Sequence, residues 1–139
     1  MLYGELTSQD IDGLAVYSKS GVVTLELQVG KVNKIGEPFV RALEAGLDAA
    51  LKTDGLKGII IASGHKDFCV GADLDSLFSE SDPARIYEGV TVLNGLYRKI
   101  ETSGVPVVAA IEGAALGGGY ELALATHHRI ALDNARIMV

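Results

Sequence analysis

The sequence predicts an α/β domain built as a spiral of strand–strand–helix units. Three observations point to it. Two β-branched apolar runs, Ile59–Ala62 and Val107–Ala110, each lead to a glycine-alanine turn and then to a helical segment; the turns are Gly71-Ala72 and Gly113-Ala114. A hairpin followed by a helix at the start of the chain has the same element order. Two longer segments carry apolar residues at helical spacing, which gives each helix one face to bury. The separations between units are unequal.

Each element follows from its residues. Leu14–Ser18 and Val22–Leu27 are β-rich and flank Lys19-Ser20-Gly21, a hairpin signal. Gly30–Gly36 reads as a polar loop. Pro38 suits the first turn of a helix running to about Lys52, with Phe39, Leu43, Leu47 and Ala50/Leu51 on one buried face. Asp54-Gly55 ends that helix, and Lys57–Ala62 is a continuous apolar strand expected to be buried on both sides. Ser63–Leu77 begins as a loop and closes with a short helical turn.

Asp82 followed by Pro83 is an N-cap and first-turn pair. The helix it opens reaches Glu101, with Ile86, Val90, Leu93, Tyr97 and Ile100 as the buried stripe. Gly104 and Pro106 break it and lead into the strand at Val107, Val108 and Ile111. That strand stops at Glu112-Gly113, and the three glycines Gly117–Gly119 precede a helical run carrying Glu121 in its first turn. His128–Leu132 and Ala135–Val139 read as two strands around an Asp133-Asn134 turn.

Composition narrows the function classes. The chain has 139 residues, 48% hydrophobic and 22% charged, which suits one globular domain and is too apolar for disorder. Net charge is -6 with no Lys/Arg cluster, so a nucleic-acid partner is not expected. A single cysteine, Cys69, excludes an internal disulfide and is consistent with a reducing compartment. The first dozen residues have neither a basic nor an apolar leader region, and no apolar run approaches the ~18 residues of a membrane span. A soluble, cytoplasmic protein without a membrane span is the expectation.

The chemistry concentrates in Val105–Thr126. A strand that passes through glycine into a helix start leaves backbone N–H groups bare at a cleft. Such groups can hold an anion, or a carbonyl oxygen about to become one. Glu121 beside them could move a proton, although the helix dipole alone would also favour an acid there. Its apolar neighbours Leu122, Ala123 and Leu124 predict partial burial and a raised pKa that suits a general base. An N–H from the loop at Ala72 and one from Gly117–Gly119 could converge on one oxygen, an arrangement that sequence spacing cannot establish.

Two blocks carry a family resemblance: FCVGADL at Phe68–Leu74 and GAALGGGYELALAT at Gly113–Thr126. Together they resemble the signature blocks of the crotonase superfamily, the enoyl-CoA hydratase/isomerase group. The VNKI segment, the long helix before GVPVVAAIEG and the closing THHRIALDNARI fit as well. VNKI is similar to the N-terminal region of multifunctional fatty-acid-oxidation enzymes. The resemblance implies that Ala72 and Gly118 supply the oxyanion-hole N–H groups for an acyl-CoA thioester, and that Glu121 is the first of two catalytic glutamates. Asp73 would be structural, while Lys34, His65, Lys66 and Val70 would flank the coenzyme A. No permanently bound cofactor is implied, the substrate arriving as a coenzyme A thioester.

The implied reaction is hydration of a trans-2-enoyl-CoA, with double-bond isomerisation or a non-catalytic scaffold role as alternatives. The implied assembly is a homo-oligomer, trimer or hexamer, or a subunit of a fatty-acid-oxidation complex. The family's second glutamate falls in a G-x-P-E context just beyond Val139, so residues 1–139 are expected to form the N-terminal part of one crotonase-like domain. Other motifs are weaker. GGGYEL is not G-x-G-x-x-G, His127-His128 has no further ligand at metal spacing, and Cys69 lacks a base partner and reads as an apolar filler.

Overall fold

The computed structural model describes residues 11–139 and the backbone of Glu5–Leu6. The N-terminal stretch whose composition argues against a leader lies largely outside the described residues. Among the described residues twelve elements follow in order: β1 (Glu5–Leu6), β2 (Leu14–Lys19), β3 (Val22–Leu27), α1 (Glu37–Leu51), β4 (Gly58–Ser63), α2 (Leu74–Ser79), α3 (Pro83–Glu101), β5 (Val107–Ile111), β6 (Ala114–Leu116), α4 (Gly118–Ala125), β7 (His128–Ala131) and β8 (Arg136–Met138). A six-stranded sheet runs β1-β2-β3-β4-β5-β7, and β6 pairs with β8 in a second sheet.

The hairpin turns at Ser20 and Gly21, both with positive φ, which matches the twist of the two strands it joins. From β3 onward the large sheet is parallel, with Leu25 opposite Ile61, and Ile61 opposite Ala109. Each parallel step needs a crossover, and α1 and the α2–α3 segment supply the first two. A second, shorter layer stacks alongside. Ile35 bridges Ala72, Cys69 bridges Ala115, and Ala115 pairs with Ile137 in the β6–β8 ladder. Strand, second short strand, helix: this is the spiral the sequence predicts.

The core lies between the large sheet and the helices. Val23, Leu25, Ile59, Ile61, Val107, Ala109 and Ile111 from the strands meet Phe39, Leu43, Leu47, Ile100 and Leu122 from the helices. Asp82 caps α3 as expected, its carboxylate accepting from the Ala84 N–H at 3.0 Å.

Three expectations are corrected. Strand β4 is only partly buried on its second face, where Ala62 is buried but Ile60 is half-buried, opposite the fully buried Ile59 and Ile61. Of the expected stripe of α3 only Tyr97 and Ile100 are buried, joined by Leu96, while Ile86 and Val90 stay exposed because the packing against α1 and α4 covers the carboxyl half of the helix. Gly113-Ala114 does not lead directly into the helix, because the short strand β6 comes first.

Candidate functional site

The segment Cys69–Asp73 forms the middle rung of the short layer. On one side the Val70 N–H donates to the Asn33 carbonyl at 3.0 Å, the Ile35 N–H to the Gly71 carbonyl at 2.8 Å and the Asp73 N–H to the Ile35 carbonyl at 2.9 Å. On the other side Cys69 exchanges bonds with β6, its N–H donating to Ala114 and its carbonyl accepting from Leu116. Gly71 has φ of 92°, a left-handed conformation that reverses the alternation of the strand. A β-carbon there would lie 2.9 Å from the Leu116 carbonyl oxygen and 3.8 Å from the Gly118 nitrogen.

This geometry orients the Ala72 N–H. The Gly71–Ala72 peptide is trans, so its N–H points opposite its carbonyl, and that carbonyl is held by Ile35. The Ala72 N–H therefore faces the side occupied by Leu116 and Gly118. Gly117 then turns the chain with φ of 50° and ψ of −121°, and its carbonyl accepts from the Tyr120 and Glu121 N–H groups at 2.9 and 3.0 Å. The Gly118 N–H, on the same peptide, points out of the helix start. Among the described residues neither the Ala72 nor the Gly118 N–H has a hydrogen-bond acceptor. Two bare donors thus lie close together at the carboxyl ends of parallel strands, where open α/β sheets commonly hold ligands.

Glu121 sits one turn along α4 on the face of Gly118, its Oε2 3.9 Å from where a Gly118 β-carbon would be. The expected burial of Glu121 is corrected, since the residue is exposed. Leu122, Ala123 and Ala125 face the core, whereas Leu124, which shares the Glu121 face three residues on, is itself exposed. Ile35 closes the other flank, its Cδ1 2.7 Å from the same Gly118 β-carbon position. The helix start approaches the rung so closely that a side chain at Gly119 would collide with the Cys69 backbone.

Two contributors to the site were missed in the sequence. Asn33 is buried, and its amide nitrogen reaches the Leu27 carbonyl, the Ser63 hydroxyl and the Phe68 carbonyl at 3.2, 2.9 and 3.1 Å while its oxygen accepts from the Val29 N–H. It ties the first loop to the second, and its only sequence signal is a short amide in a loop of lysines. Tyr97, expected only in the buried stripe of the long helix, is buried but also donates from its hydroxyl to the Gly118 carbonyl at 2.9 Å. Burial, reinforced by the nearby Cys69 and Glu121, holds that phenol well above the usual tyrosine range.

The residues expected to flank coenzyme A lie on the loops next to this rung. Lys34 pairs with Asp73 at 3.4 Å, and the Ser76 hydroxyl followed by Lys34 lowers the Asp73 carboxyl below its ordinary value. Lys66 is exposed and Val70 half-buried. His65 donates its backbone N–H to Ser63 Oγ, and its Nε2 is buried without a partner among the described residues. Cys69 is fully buried, which pushes its thiol up to about 11. Among the described residues no cluster of His, Cys, Asp or Glu could hold a metal, and no helix is long and apolar enough to cross a membrane.

Residues 17–139 match the family model described as enoyl-CoA hydratase/isomerase. The chain is 36% identical over 123 residues to the fatty acid oxidation complex subunit alpha of Pseudomonas savastanoi pv. phaseolicola, covering 86% of this chain and 17% of that protein. The protein of the same name from Pseudomonas putida matches at 36% with the same coverage. Among solved structures, the enoyl-CoA hydratase from Thermoplasma volcanium superposes with a TM-score of 0.83 at 31% identity, over 90% of this chain and 50% of that one. The enoyl-CoA hydratase from Bacillus halodurans does so at 0.83 and 28%, over 90% and 52%. The chain thus spans about half the length of these structures and 17% of the curated relatives.

Proposed function

We propose, from the premise that the chain belongs to the enoyl-CoA hydratase/isomerase family, that it forms the N-terminal part of a domain hydrating trans-2-enoyl-CoA. The observation that carries the proposal is the pair of bare N–H groups at Ala72 and Gly118 with the Glu121 carboxylate beside them. The names of the relatives support the substrate class, and the fatty acid oxidation complex subunits among them support a role in fatty-acid oxidation as part of a complex, for which a cytoplasmic location is proposed.

In the reaction, a water oxygen bonds to C3 of the enoyl group as Glu121 takes a proton from that water. The electron pair of the C2–C3 double bond moves toward C2 and the thioester oxygen, which gains enolate character. Ala72 and Gly118 donate to that oxygen, each contributing on the order of 3–4 kcal/mol of transition-state stabilisation. Protonation at C2 completes the addition and is the task of a second acid. Lys34, His65, Lys66 and Val70 line the loops next to the rung and are proposed to flank the coenzyme A.

Isomerisation is the second reading, and one observation supports it: among the described residues the Glu121 carboxylate approaches the Gly118 donor. One carboxylate suffices to carry a proton between two carbons. Parallel assays of the intact protein separate the two. Hydration consumes the conjugated-thioester absorbance of crotonyl-CoA, whereas isomerisation creates that absorbance from a 3-enoyl-CoA. Loss of absorbance supports hydration, and its appearance from the 3-enoyl substrate alone overturns it.

A further inference from the structure

The turn that presents the Gly118 N–H is built from three consecutive glycines, the residue type with the most backbone freedom to lose on ordering. Its N-cap residue, Gly117, has no side chain to cap the helix. Among the described residues one side-chain hydrogen bond reaches Gly117–Gly119, and it comes from Tyr97. We infer that Tyr97 is a positioning residue: its hydroxyl pins the Gly118 carbonyl and so holds the Gly118 N–H in its aim at the proposed acyl-thioester cleft. The inference rests on the acyl-thioester reading of that cleft.

The geometry gives Tyr97 the right reach. It lies in the carboxyl half of α3, where that helix packs against α4, and its ring is part of the core. The raised phenol stays protonated through neutral pH, so the hydroxyl remains a donor. Gly118 is then held between two side chains, with the Ile35 methyl packed on one flank and the Tyr97 hydroxyl bonded to its carbonyl. A phenylalanine at 97 would keep the packing and lose only the donor.

Tyr97→Phe in the intact protein tests this with three readouts: kcat and KM for crotonyl-CoA, the melting temperature, and the carbonyl stretch of bound 13C-labelled butyryl-CoA. Butyryl-CoA is saturated and cannot be hydrated, so its infrared band reports the two donors without turnover. The expected result is a kcat lower by about three- to tenfold with KM changed less than about twofold, the loss of one oriented hydrogen bond. The bound carbonyl band should move back toward its frequency in free thioester. A tyrosine that serves only the core would shift the melting temperature and leave that band in place. A Phe variant with wild-type kcat and an unmoved band overturns the inference while leaving the hydratase reading intact. A wild-type protein that shifts the butyryl-CoA band yet leaves crotonyl-CoA unhydrated, with the band moved back in the variant, supports the inference and sinks the hydratase reading. A wild type that shifts no band and hydrates nothing sinks both.

Discussion

Two constraints meet at Gly71. Its φ of 92° belongs to a region that side chains avoid, and a β-carbon would press on the Leu116 carbonyl. The reversal it allows is what turns the Gly71 carbonyl to Ile35 and the Ala72 N–H to the side of Leu116 and Gly118. Gly71→Ala should therefore cost about 1–2 kcal/mol from the backbone alone, before the clash is relieved. Relief requires the rung to shift, so kcat for crotonyl-CoA should fall with the melting temperature. An alanine variant that keeps both would remove the link between this glycine and the Ala72 donor. Glu121 shows the limit of reading residues one at a time. Its apolar neighbours suggested burial, but neighbours in sequence point in different directions on a helix, and the face Glu121 shares with Leu124 is open.

At the scale of elements, what could be read depended on length and period. Helices α1 and α3 each carry a stripe long enough to identify them, and Asp82-Pro83 marked the start of α3. The stripe could not say how far the rest of the molecule reaches, and the exposed amino half of α3 follows from that. Strand β6 escaped notice because three residues, Ala114–Leu116, carry no period and their pairing with β8 is remote in sequence. The joint between α3 and β5 was hidden in another way, since it depends on a residue beyond both. His127 Nδ1 accepts from the Val107 N–H at 2.9 Å, and its Nε2 lies 3.0 Å from the Glu101 carbonyl. Placing the ring proton on Nε2 satisfies both contacts. His127→Ala should destabilise the fold by roughly 1–2 kcal/mol, two modest hydrogen bonds, in denaturant titrations. Its kcat should stay at the wild-type value, because Val107 begins β5 and the site lies past the other end of that strand.

Across the whole molecule, the order of the longer elements was legible, because two of the spiral units announce themselves through a β-branched run and a glycine-alanine turn and the first through a hairpin and a helix. The convergence of the two donors was not. It depends on Cys69–Asp73 lying between Asn33–Ile35 and Ala114–Leu116, contacts between three separate units that no local pattern encodes. Only the resemblance of two blocks to a known family connected them in advance. Cys69, at the centre of that three-way contact, offers a probe of the assembled fold. Its thiol is fully buried and raised to about 11, so a thiol reagent at neutral pH should label it at the rate of global unfolding. Fast labelling of the native protein would mean that the rung opens locally. The chemistry proposed for the cleft is decided by binding and turnover of crotonyl-CoA in the wild type and in Glu121→Gln. The wild type should consume the conjugated-thioester absorbance. The glutamine variant should bind the substrate with similar affinity and melt at the same temperature, yet turn over slower by on the order of 10²–10⁴-fold. Binding without turnover in the wild type, or an undiminished rate in the variant, would contradict it.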